Sequence, residues 1–438
     1  MTRRAEIIAI EVGSTITKAL ALADGAILGR ASALTTPGDV SVGLAEAGRR
    51  LEAACGLALA DAGRIYATSS AAGGLRMTVH GLTRDLTTRA AEEAALGAGA
   101  NLKLVTAGRL AERDLAKIAA IRPNLVMLAG GVEHGEEAAV LANAAALAGL
   151  GLDCPAVFAG NAVLQEEVRA IFARAGRPVE IVENVYPRFD ELNVGPVRAV
   201  IQRLFAERLV IAPGMEALRE LSGGRVSPVP AAVLRAAEAL AAKLGDLAVV
   251  DVGGATTDVH SVVTTPSPGN LDPQVPSRRT VEGDLGVFSS APSTWAAMGR
   301  QGQPGPLAPL PETPGEQALS RELAAACTEL ALLRHAGRVV PGACLPDGRV
   351  PVRGRDLRSA RLVVGTGGAL AALAGGLEAL GAALGRHRRE ALLPGPDARL
   401  AIDRDYVLAA CGAFAADFPE LAAALMLKSI GGVEVSGA

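Results

Sequence analysis

Two stretches of this chain repeat one design, and the repetition limits the folds open to it. Residues 247–263 read LAVVDVGGATTDVHSVV. An apolar run ends in Asp251, then come Gly253, Gly254, Thr256, Thr257 and Asp258, and a second apolar run follows. Both runs are rich in β-branched residues, so a strand, a tight glycine turn and a second strand are expected. The same order occurs near the start. Residues 7–10 (IIAI) lead into Glu11, Gly13, Ser14, Thr15, Thr17 and Lys18, and 19–22 (ALAL) resume the apolar pattern.

The residue types at these turns point to anion chemistry. Glycines lack a Cβ, so their backbone N–H groups can approach an anion, and threonine hydroxyls add donors. Asp251 ends a buried strand, a suitable place to hold Mg²⁺ through water, because hard cations take oxygen ligands. Either turn alone could be an ordinary hairpin with a polar tip. Two acid-bearing copies predict two similar lobes, each presenting a loop to the phosphate chain of a nucleotide. A third element, residues 361–364 followed by Gly365-Thr366-Gly367-Gly368 and a helical stretch to 380, would let a flat ligand or phosphate come close to a helix start. Turns of this kind also occur purely for packing.

Taken together, acid-x-Gly-Ser-Thr, then Asp-x-Gly-Gly-x-Thr-x-Asp, then a late glycine-rich strand–helix turn resemble the actin, heat-shock chaperone and sugar kinase superfamily. The resemblance implies an α/β fold of two related actin-like, ribonuclease H-like lobes with Mg-ATP between them. It assigns Glu11, Gly13, Ser14, Thr15 and Lys18 to a first phosphate loop. Asp251, Gly253, Gly254, Thr256, Thr257 and Asp258 would form a second, and Gly365, Gly367 and Gly368 the adenosine loop. Asp251 and Glu11 would hold Mg²⁺ through water and serve as catalytic acids. The first loop of that superfamily usually opens with Asp. Here Glu11 carries the same charge one methylene further out, which is expected to alter metal geometry and hydrolysis.

A closer resemblance covers nearly the whole chain. The segments 68–77 (TSSAAGGLRM), 95–100 (ALGAGA), 128–131 (LAGG), 280–286 (TVEGDLG) and 334–337 (RHAG) are similar, in that order, to the accessory L component of glutamate (methylaspartate) mutase. That family implies an ATP-driven reactivating factor, or chaperone, partnered with the subunits of an adenosylcobalamin-dependent mutase. Nucleotide-driven lobe motion would release damaged cobalamin. A small-molecule kinase of the same superfamily is the alternative, as is a nucleotide-binding scaffold for the mutase that does not hydrolyse ATP. In the 280–286 segment Glu282 and Asp284 stand among glycines. Glu282 could return towards the phosphates and orient the attacking water, or both acids could be surface groups on a turn.

The remaining sequence sets boundaries. At 438 residues the chain can hold two or three domains with sizeable cores. A net charge of −3 gives no electrostatic case for nucleic acid or an anionic membrane, and no apolar run reaches membrane-span length. The five cysteines include no Cys-x-x-Cys pair, so a reducing cytoplasm is expected. Strand patterns at 102–105, 125–128, 156–158 and 179–182 alternate with helical patterns at 109–120, 136–149 and 162–175, predicting βαβ units and a parallel sheet. The expected partition is therefore 1–100 as the first part of lobe one, 101–190 as a βαβ module suited to partner docking, 191–245 as a helical connection and 246–438 as lobe two. Ten of the 25 prolines fall in 264–316, so loops are expected there on either side of the 280–286 segment.

Overall fold

The computed structural model describes residues 5–36, 38–70, 75–189, 191–208, 213–388 and 390–431. Positions 71–74 of the 68–77 segment lie outside them. In chain order the first strands are β1 (Ile7–Val12), β2 (Ile16–Ala23), β3 (Ala26–Leu34) and β4 (Arg64–Ser69). Next come β5 (Leu75–Gly81), β6 (Ala100–Ala107), β7 (Leu125–Leu128), β8 (Ala156–Phe158) and β9 (Val179–Ile181). The last group is β10 (Val226–Pro228), β11 (Leu247–Val252), β12 (Thr257–Val262), β13 (Ser277–Glu282), β14 (Arg338–Val339), β15 (Val352–Arg353), β16 (Leu362–Thr366) and β17 (Arg399–Ile402). The chain divides into two compact units, one made of 1–72 with 209–438, the other of 73–208.

The larger unit contains one sheet architecture twice. Its first sheet runs β3-β2-β1-β4-β10 and its second β13-β12-β11-β16-β17. In both, the hairpin strands pair antiparallel and the last two additions pair parallel. Two sheets with the same order and direction are the two related lobes of an actin-like ATPase fold. The helix Val229–Leu244, expected as part of a connection, instead supplies Val233, Ala236, Ala237 and Leu240 to a core shared by both sheets. It turns its apolar stripe inward because alanines at helical spacing let the backbone pack closely against β11 and β12. Separate cores lie on the outer faces, under the helix Val40–Cys55 in lobe one and under Pro314–His335 in lobe two.

The smaller unit is a parallel sheet in the order β6-β5-β7-β8-β9, with helices such as Glu112–Ile121, Ala138–Ala148 and Gln165–Arg174 between its strands. The unit is longer than the expected 101–190 because β5 is one of its inner strands. Thr78 and His80 interrupt the apolar pattern of β5, yet both are fully buried: the His80 ring bonds Thr78 Oγ1 at 3.0 Å and Thr106 Oγ1 at 2.8 Å. At the other end the helix Val194–Arg208 also belongs to this unit. In the glycine turns leaving β7 and β8, Gly130, Gly131 and Gly160 are buried. A Cβ on Gly160 would lie 2.6 Å from both the N and O of Gly130, so these turns meet backbone to backbone. Among the described residues no helix is long and apolar enough to cross a membrane.

Candidate nucleotide site

The two hairpins superimpose residue for residue in their pairing. Glu11 stands opposite Lys18 across the first, and Asp251 opposite Asp258 across the second. Both turns close alike: the Gly13 N–H donates to the Ile16 carbonyl at 3.0 Å, and the Gly253 N–H to the Thr256 carbonyl at 2.9 Å. A side chain at Gly13 would put its Cβ 2.7 Å from Ile16 O, which is why glycine stands there. These first-glycine N–H groups are thus committed to the turns and are not free for an anion. The tip N–H groups of Ser14, Thr15, Gly254 and Ala255 make no hydrogen bond among the described residues. The tips face each other, since a Cβ on Gly254 would lie 3.2 Å from Thr15 Oγ1.

A cavity of about 730 Å³ opens between the lobes of this unit. Glu11, Gly13, Ser14, Thr15 and Lys18 line one side, and Asp251, Gly253, Gly254, Thr256, Asp258 and Gly368 the other. The volume lies within the range of small-molecule and cofactor sites. Four predicted residues are not among the lining. Gly365 packs in β16, where a Cβ would press on Ile402, Leu380 and Leu370. Gly367, at φ +85, lies behind Asp251 and Val252. Thr257 turns the other way and donates to the Leu285 carbonyl at 3.1 Å. Glu282 pairs with Thr257 across β12 and β13, and cross-strand partners project to one face. Its carboxylate accordingly reaches Arg334 at 2.7 Å, on the helix Pro314–His335, and Arg334 also grips Asp284 in a bidentate pair.

The charges at the two hairpins differ, and so do their consequences. In lobe one the acid meets a cation, with Lys18 Nζ 3.1 Å from Glu11 Oε1. In lobe two an acid meets an acid. Burial first, then the charges of Asp258 and Glu11, push the Asp251 carboxyl up to about 7, opposed by Lys18. Asp258 is held by Arg279 at 2.5 Å, a pair with both side chains almost fully buried, and it accepts from Thr256 Oγ1 at 3.2 Å. Carboxylates that repel in a buried cleft favour a divalent cation. Among the described residues no group of three His, Cys, Asp or Glu side chains is placed to ligate an ion directly. Glu11 and Asp251 line the cavity from the two hairpins and are the oxygen donors that would face a hard cation there.

Several cleft residues escaped the sequence reading. Gln317 and Ser320 line the cavity from the helix Pro314–His335, and 308–311 of the proline-rich segment line its mouth. Arg404, Asp405 and Tyr406 line it from the turn after β17. The only sequence signal was a charged Asp-Arg-Asp-Tyr run between a strand and a helix, an ordinary pattern for a solvated turn.

The sequence matches the model of the family described as MutL protein over residues 7–430. Protein MutL of Clostridium tetanomorphum is 36% identical over 453 residues, covering 96% of this chain and 98% of its own. Among solved structures, a glycerol dehydratase reactivase aligns with a TM-score of 0.39 at 10% identity, covering 94% of this chain and 100% of its own. A diol dehydratase-reactivating factor in nucleotide-free form aligns with a TM-score of 0.34 at 12% identity, with the same coverages of 94% and 100%.

Proposed function

The chain belongs to the MutL protein family, and from that membership we propose that it is an Mg-ATP-binding accessory factor that reactivates an adenosylcobalamin-dependent mutase such as glutamate mutase. One observation carries the nucleotide half of this reading. Two equivalent hairpins, one from each lobe, face each other with free tip N–H groups and acids at their bases. The phosphates take the tip N–H groups and the Ser14 and Thr15 hydroxyls, while the Thr256 hydroxyl stays on Asp258. Glu11 and Asp251 hold hydrated Mg²⁺, which when bound neutralises phosphate charge. Hinged closure of the lobes on ATP, and opening after turnover, changes affinity for the partner and frees a spent cobalamin.

The smaller unit is the docking module in this reading. At the carboxyl end of its sheet, Phe189 is 72% exposed and Val163 55% exposed, and a partner docking there would cover both. Replacing both with serine weakens mutase association and leaves Mg-ATP affinity intact.

The deciding experiment follows ATP turnover and recovery of activity together, using mutase inactivated in turnover and an excess of free adenosylcobalamin. Recovery that requires ATP hydrolysis supports the proposal. Nucleotide binding without turnover, with the mutase still assembled, indicates a scaffold. ATP consumption in proportion to one added metabolite indicates a kinase.

A further inference from the structure

The turn at 403–406 grips both lobes of the larger unit, and it does so directly beneath the first hairpin. Asp403 is fully buried and accepts from the Val407 N–H at 3.0 Å, the Leu408 N–H at 3.1 Å, Ser429 Oγ at 2.5 Å and Thr366 Oγ1 at 2.9 Å. Those bonds fasten the turn to lobe two. Asp405 reaches β3 of lobe one, where Arg30 donates to its carboxylate at 2.5 Å and to its carbonyl at 3.2 Å. Tyr406 reaches further in. Its ring lies 3.3 Å below Lys18 Nζ, and its hydroxyl donates to Glu11 Oε1 at 3.4 Å.

Tyr406 holds this position at φ +51, a left-handed conformation that aromatic residues rarely adopt. The backbone strain persists because the contacts to Lys18 and Glu11 over-determine it. Both contacts use groups that the nucleotide site also needs. A phosphate between the hairpins draws the Lys18 ammonium off the ring, and hydrated Mg²⁺ competes for the Glu11 oxygen. The two restraints on a strained residue then weaken together.

Resting on the Mg-ATP reading above, we propose that Tyr406 is a positioning residue that senses nucleotide at the first hairpin through Lys18 and Glu11. The 403–406 turn passes that state to lobe two. The path continues into the helix Leu408–Phe414, whose Leu408, Cys411 and Phe414 sit in the core shared by both sheets.

The test measures hydrogen exchange of backbone amides 403–411 in the full-length protein, with and without Mg-ATP, beside calorimetric nucleotide affinity. In the parent, Mg-ATP changes exchange in this segment by about fivefold or more. Measured at Mg-ATP concentrations that saturate each variant, Tyr406→Leu and Arg30→Ala lose the response. Tyr406→Phe, which keeps the ring under Lys18, retains most of it. Arg30 lies on an exposed part of β3, so Arg30→Ala keeps the question answerable if a Tyr406 variant does not fold. A parent that binds Mg-ATP without any exchange change overturns this proposal alone, as does an undiminished response in Tyr406→Leu and Arg30→Ala. A parent that binds no Mg-ATP overturns the nucleotide reading and this proposal with it.

Discussion

Gly367 stands so close behind Asp251 that a Cβ on it would lie 2.5 Å from Asp251 Oδ1 and 2.3 Å from the Val252 carbonyl oxygen. Gly367 therefore supports the acid of the second hairpin from behind, while Gly368 beside it lines the cavity. Gly367→Ala must push β11 and β16 apart or turn the Asp251 carboxylate, and at φ +85 it also adds backbone strain of about 1–2 kcal/mol. The expected result is loss of stability in chemical denaturation and at least about a tenfold loss of Mg-ATP affinity. Gly368→Ala is the control for stability, because a Cβ there meets no protein atom within 4 Å. Equal behaviour of the two variants would remove the supporting role.

Asp251 gives a pH signature with a definite sign. Its carboxyl keeps a proton in the folded protein up to about pH 7, against a usual value of 3.8. The group therefore contributes stability that is fully present below about pH 4 and is lost as pH rises through 7. In nucleotide-free protein this lowers Tm at pH 8 relative to pH 5, and Asp251→Asn should remove that part of the fall. The same substitution should weaken Mg-ATP binding roughly tenfold or more, since charge-assisted contacts are worth about 1.5–3 kcal/mol each. An identical pH profile in parent and variant would contradict the assignment.

For Glu282 the expected outcome is a small effect. Arg334 holds its carboxylate on the face of β13 away from the cavity. Glu282→Gln should leave the rate of ATP turnover within about twofold, whereas a group that handled the attacking water would cost about a hundredfold or more. Single-turnover measurement at saturating Mg-ATP distinguishes these.

The buried Arg279–Asp258 pair calls for a double substitution. Arg279→Met leaves the Asp258 charge buried without its cation, which costs about 3–5 kcal/mol in comparable pairs. Changing Asp258 to Asn as well should restore a large part of that loss in urea titration. Additive losses would mean that the two residues act independently.

What the sequence disclosed divides along a physical line. The hairpins were readable because every necessary signal is local: short continuous apolar runs, a glycine where a Cβ would strike a carbonyl, and an acid at the strand end. Tyr406 was not readable, because its partners Lys18 and Glu11 lie at the far end of the chain, and a charged turn carries no mark of what it will meet. The direction of Glu282 depended on which residue of β12 it would face, and that register arises only when β13 pairs. β5 was missed because Thr78 and His80 satisfy each other inside the core. Sequence alone marks them as residues for an exposed face.

One core joins Ile7 and Ala9 of β1 to Leu425, Met426 and Ile430 of the last helical segment. During synthesis the first hairpin therefore emerges long before the side chains that will cover its inner face. The smaller unit, with its own core around Val126, Phe158 and Phe172, has all of its chain as soon as residue 208 is clear of the ribosome. The larger unit must wait for the final helix, with loops of high sequence separation still to close. Closure of the cleft between the lobes thus waits for this late segment: a product halted before the helix Pro419–Ser429 would carry both hairpins with the shared core on their inner faces incomplete.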